Sequence, residues 1–129
     1  MITGISHITF IVKDLERTAT FLERVFEAKE VYSRDLAVKY FAINTLWIAL
    51  NKGEPLPKRT YNHIAFQIAE EDIEMYIERI NDVGAEIMPE RPRVTGEGRS
   101  VYFYDFDNHL FELHTGTLSE RLAWYNNSY

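Results

Sequence analysis

Between Ile5 and Val12 the chain alternates, setting His7, Thr9 and Ile11 on one face of a predicted strand and Ile8, Phe10 and Val12 on the other. After Lys13-Asp14 the period changes. Leu15, Ala19, Leu22, Val25 and Phe26 recur at helical spacing and leave Glu16, Arg17, Glu23 and Arg24 for solvent, which predicts a helix over Leu15–Phe26. Glu30–Ser33, Val38–Ile43 and Leu46–Leu50 read as short strands. Asn51 to Thr60, with Gly53, Pro55 and Pro57, reads as a linker.

The pattern then restarts. Tyr61–Ile68 is a predicted strand, Asp72–Val83 an amphipathic helix closed by Gly84, and Ala85–Met88 a strand. Arg99–His114 is a hairpin turning at Asp105-Phe106-Asp107-Asn108. His7 and His63 lie 56 residues apart, and HITFIV and HIAFQI match at His, Ile and Phe. This is a duplicated β-α-β-β-β unit of the α+β class, with modules at about 1–52 and 61–116 and a tail at 117–129 whose helix begins at Thr117. One unit cannot cover both faces of its own sheet, so two must pair, within the chain or across a dimer. Carrying the alignment into the last strands sets Leu46-Trp47-Ile48 against Leu110-Phe111-Glu112, so Ile48 is expected where the second half offers Glu112.

Glu112 brings in the chemistry. Side-chain alternation puts it on one face with Leu110 and His114, and a carboxylate in a buriable strand is costly unless it is paired, hydrogen-bonded or bound to a cation. His7 and His63 hold matching positions on related strands. Two imidazoles and a carboxylate suit a divalent transition metal, and three protein ligands leave positions open for water or substrate. The competing reading is structural: each histidine is a satisfied core residue and Glu112 pairs with a nearby arginine. His109 reads as a turn residue or a support for a ligand, and His114 either orients Glu112 or belongs to the core or an interface.

Composition narrows the partners. A formal charge of −6 argues against a general nucleic-acid or anionic-membrane partner, and the absence of cysteine removes disulfides, thiol nucleophiles and thiolate metal sites. The N-terminus lacks a basic leader and no apolar run reaches membrane-spanning length, so a cytoplasmic protein is expected. One local exception is Glu90–Arg99, ERPRVTGEGR, with three arginines and two glycines: either an anion-binding loop or a solvated basic one. Ser100, Tyr102 and Tyr104 follow it with hydroxyls. In the tail, Arg121 either points back to an anion pocket or pairs at the surface.

The stretches ISHITFIVKDL, TYNHIAFQI, ERPRVTGEGRSVYFYDFDNHLFELH and GTLSERL together resemble the fosfomycin-resistance enzymes of the vicinal-oxygen-chelate (glyoxalase/bleomycin-resistance) superfamily, closest to the hydrolase (FosX) type. The resemblance implies tandem βαβββ modules paired across a homodimer and Mn(II) held by His7, His63 and Glu112. It also implies a small phosphonate substrate, fosfomycin, whose epoxide is opened. Matching positions imply Thr9, Arg93, Ser100, Tyr102 and Arg121 as phosphonate contacts and Trp47 as a pocket wall. In the hydrolase type a glutamate ahead of the middle strand of the first half serves as general base, and here its position falls on Val38, which cannot take a proton. Asp35 could replace it only by a folded-back loop. Hydration is favoured by the second-half motif. Thiol transfer from glutathione or bacillithiol, suggested by the first half, is the alternative, with a non-catalytic antibiotic-binding protein of the same fold behind both.

Overall fold

The computed structural model describes residues 1–90 and 98–128. Strand β1 (His7–Val12) leads into helix α1 (Leu15–Phe26), which starts where the apolar spacing begins because the Asp14 side chain caps it, accepting from the Arg17 N–H at 3.1 Å. The helix ends at Glu27, whose left-handed backbone (φ 55°) stops the next turn. Strands β2 (Lys29–Arg34), β3 (Val38–Ile43) and β4 (Leu46–Lys52) complete the first module. Strand β5 (His63–Gln67), one 3₁₀ turn (Glu70–Asp72), α2 (Ile73–Asp82), β6 (Glu86–Ile87), β7 (Ser100–Tyr104) and β8 (Leu110–His114) form the second, and α3 (Leu118–Ser128) follows.

Two four-stranded sheets of the same topology result, in the orders β1-β4-β3-β2 and β5-β8-β7-β6. In each, the first and last strands of the module pair in parallel and the remaining pairs are antiparallel. The duplication expected from the sequence is therefore a duplication of sheet order.

The helices cover one face of each sheet. Phe41, Ile48 and Leu50 are fully buried on that side of the first sheet, as are Phe103, Phe111 and Leu113 in the second. The two covered faces meet in a common core. Phe21 of α1 packs on Phe103, Phe106 and Phe111 of the second module, Phe26 on Phe66, and Phe10 of β1 on Phe111, with ring centroids 5.2–6.0 Å apart. The hairpin turn adds a polar staple between the halves: Asp107, 2% exposed, accepts the Lys13 N–H at 2.8 Å, and the Asn108 side chain donates to the Leu56 carbonyl at 2.7 Å. Burial holds the Asp107 carboxyl above its usual range.

The other face of each sheet is open. His7, Thr9 and Ile11 are exposed on β1, as are His63, Ala65 and Gln67 on β5.

Pairing corrects the repeat alignment. His7 lies opposite Trp47 and Thr9 opposite Ala49, while His63 lies opposite Leu110 and Ala65 opposite Glu112. The residue of the first half that corresponds to Glu112 is thus Ala49. Ile48, expected there, faces the covered side and is 0% exposed.

Candidate active site

On the open face of the second sheet, β5 supplies His63, β8 supplies Glu112 and His114, and β7 supplies Ser100 and Tyr102. The Glu112 carboxylate is 6% exposed, and among the described residues its side-chain partners are His63, Ser100 and His114. His63 Nε2 stands 2.9 Å from Glu112 Oε1, and Ser100 Oγ donates to Glu112 Oε2 at 2.6 Å. Ser100 Oγ also lies 2.7 Å from His114 Nδ1, and Arg121, carried back by α3, donates from Nη2 to His114 Nε2 at 3.3 Å. Arg121 therefore joins the site.

Tyr102 sits opposite Glu112 in the β7–β8 register, and its hydroxyl bonds to that of Tyr61 at 3.1 Å. Burial, then the bond to Tyr61 and the nearby Glu112 charge, push the Tyr102 hydroxyl well above its usual range, so it remains a proton donor.

The donor set fits a divalent metal on one observation. His63 Nδ1 lies 2.7 Å from the Tyr61 carbonyl, which can only accept, so the ring proton is on Nδ1. Nε2 stands 2.9 Å from a carboxylate oxygen, and on a ring with no second proton it turns a lone pair toward that oxygen. Two acceptors face each other, an arrangement satisfied by a second ring proton or by a cation held between them. A neutral imidazole nitrogen beside a carboxylate oxygen is a common donor pair for first-row divalent ions.

The first sheet presents a second cluster. The His7 ring stacks on Trp47 (centroids 4.1 Å, planes 13° apart), Trp47 packs on Tyr40 and Tyr40 on Tyr32, while Ser6 Oγ lies 3.0 Å from His7 Nδ1. Thr9 shares this face. Val38 does too, between Arg34 and Asn51 in the register, half-buried. The strand residues of this open face include no carboxylate: Glu30 lies on the covered side, bonded to the buried Lys39 at 2.6 Å.

The predicted site residues thus fall into two groups: His63, Ser100, Tyr102, Glu112 and Arg121 on the second sheet, and His7, Thr9 and Trp47 on the first. Each contact given above stays within one group, and among the described residues no three His, Asp or Glu side chains gather to hold a metal. Arg93 lies outside the described residues. Arg99 is drawn off by Glu90 at 2.7 Å and Glu74 at 3.2 Å, so it acts as an ion-pair partner of carboxylates. His109 is a turn residue, its Nδ1 2.7 Å from Asp105 Oδ2 and its ring against Phe10. Tyr61 was not foreseen. Its position two residues before His63 is the one signal, because that carbonyl can reach the ring.

The family model described as the Glyoxalase/Bleomycin resistance protein/Dioxygenase superfamily matches residues 4–113. The chain belongs to that superfamily. Within it the chain joins the fosfomycin-resistance proteins. It is 61% identical to the fosfomycin resistance protein FosX of Listeria innocua, over 98% of this chain and 99% of that one. It is 43% identical to the metallothiol transferase FosB of Shouchella clausii, over 97% and 88%. Among solved structures it superposes with a TM-score of 0.92 on a mutant FosX from Listeria monocytogenes complexed with Mn(II) and 1S,2S-dihydroxypropylphosphonic acid, at 60% identity over 97% of this chain and 99% of that one. In superfamily terms each of its two modules contributes one open sheet face. One face carries an imidazole, His7, and the other an imidazole and a carboxylate, His63 and Glu112.

Proposed function

We propose that this chain is a Mn(II)-dependent, cytoplasmic fosfomycin-resistance enzyme that opens the epoxide by adding water. The observation that carries this is the buried Glu112 carboxylate 2.9 Å from His63 Nε2, in a chain far closer to FosX (61%) than to the FosB transferase (43%). The FosX structure of high similarity holds a dihydroxypropylphosphonic acid, which is fosfomycin with one water added across the epoxide.

His63 and Glu112 of one chain would hold the metal together with His7 of a second copy, because among the described residues no three such side chains of one chain gather to hold a metal. When bound, the ion supplies electrophilic polarisation of the epoxide oxygen. The chain's own residues do the rest. Arg121 offers guanidinium N–H groups to the phosphonate. Tyr102, held protonated, donates from the same face, with Ser100 beside it. Thr9 and the Trp47 ring border the substrate from the other face, and Arg93 is assigned to the phosphonate by its place in the motif. Trp47 also keeps the His7 ring in one plane by stacking on it.

A second reading, thiol addition to the epoxide, is favoured by Val38 and by the absence of any strand carboxylate on the first open face. Phosphorus NMR of fosfomycin with Mn(II)-loaded protein separates the two. A diol signal in water alone is expected. Product only with added glutathione or bacillithiol would make this a transferase, and unchanged fosfomycin in every tube would sink the enzyme.

A further inference from the structure

We propose that His114 is a positioning residue that sets the Glu112 carboxylate through Ser100, with Arg121 placing the proton on its ring. The inference rests on Glu112 being a metal ligand, as proposed above. Four groups form one line: Arg121 Nη2, His114 Nε2 at 3.3 Å, Ser100 Oγ at 2.7 Å from His114 Nδ1, and Glu112 Oε2 at 2.6 Å from Ser100 Oγ, with His114 Nδ1 itself 3.4 Å from Glu112 Oε2.

The two ends fix the direction of every bond between them. A guanidinium only donates, so His114 Nε2 accepts. An ionised carboxylate only accepts, so the Ser100 hydroxyl donates to Oε2. The ring in the middle is then neutral with its proton on Nδ1, donating to Ser100 Oγ, and an Nε2–H ring would set two donors against each other at Arg121.

Two consequences follow. Ser100 has one proton and it is committed to Glu112, so Ser100 orients the ligand, and donation to the phosphonate falls to Arg121 and Tyr102. Glu112 is held by Oε2, which leaves Oε1, turned toward His63, as the oxygen that would be free to meet a metal. The residue contacting the phosphonate and the residue contacting the metal are thereby the two ends of one hydrogen-bonded line.

Long-range proton–nitrogen correlation NMR of the ¹⁵N-histidine-labelled, metal-free protein at neutral pH reads the His114 tautomer directly. A neutral Nδ1–H ring is expected, and an Nε2–H ring or an imidazolium would overturn the proposal. Mn(II) titration followed by the paramagnetic resonance of the free ion tests the consequence without substrate. His114→Ala should weaken Mn(II) binding by about 10- to 100-fold, the usual effect of removing a group that orients a ligand. His114→Asn, whose amide can stand at the Nδ1 position, should recover most of the loss, while His114→Gln, which reaches the Nε2 position, should not. Unchanged affinity in His114→Ala, or equal loss in Asn and Gln, would defeat the proposal. Wild-type protein that binds no Mn(II) would sink the metal-site reading instead, and the tautomer would still decide the direction of the line.

Discussion

Glu112 in the second sheet and Ala49 in the first occupy equivalent places, each opposite the residue two beyond the histidine of the neighbouring parallel strand. One half of the duplication kept a carboxylate there and the other holds a methyl group. Ala49→Glu should fold and cost clearly less than Ile48→Glu, because its side chain, 5% exposed, lies on the same face as Thr9 and not under α1. It should offer a fourth carboxylate or imidazole donor, tightening Mn(II) and slowing fosfomycin turnover about tenfold or more by filling an open position. Ile48→Glu buries an unpaired charge under α1 and should cost several kcal/mol or prevent folding. Urea unfolding of the two variants decides: equal destabilisation would contradict the register.

His7→Ala and Glu112→Ala should each be inactive alone, with Mn(II) loss measured by metal analysis. Mixed, unfolded and refolded together, they should recover about a quarter of wild-type activity, since about half of the dimers are hybrids and each hybrid has one intact site of two. No recovery would mean that the three ligands come from one chain.

Asp107 titrates against stability in a defined direction. Its folded carboxyl is raised above the ordinary value, so its contribution is present in full below that value and is lost as pH rises through the folded one. Asp107→Asn keeps an acceptor for the Lys13 N–H and does not titrate. Its stability relative to wild type should climb as pH rises through the carboxylate range and then level off. Chemical denaturation at a series of pH values measures this, and a flat difference would contradict a raised Asp107.

Thr18 is 2% exposed and its hydroxyl has no hydrogen-bond partner among the described residues. Thr18→Val removes that unsatisfied group at nearly constant volume, so thermal unfolding should show no loss and a gain of up to about 1 kcal/mol. A clear loss would reveal a partner for the hydroxyl.

Most of the fold was legible because it is local. Asp14, the spacing from Leu15 to Phe26 and the alternation of His7 to Val12 are all written within a few residues of where they act. The histidines were legible because both halves repeat them at the start of a strand. The counterpart of Glu112 was not. Matching Leu46-Trp47-Ile48 to Leu110-Phe111-Glu112 pairs letters of similar character, but which face a residue takes is settled by its partner on a strand about forty residues away, and a one-residue slip reverses every side chain. That His7 and Glu112 lie on different open faces of one chain was left open between pairing within the chain and across a dimer, since it depends on how Phe10, Phe21 and Phe26 pack across the modules.

That aromatic packing has a consequence for how the protein can change. With Phe21 and Phe26 of the first half lodged among Phe66, Phe103 and Phe111 of the second, neither half owns its interior, and the covered faces are tied to one another residue by residue. Inheritance can alter them only in concert. The open faces carry no such mutual debt, so substitutions such as the methyl of Ala49 or the isopropyl of Val38 are where a lineage built on this scaffold can trade one reaction for another and still fold.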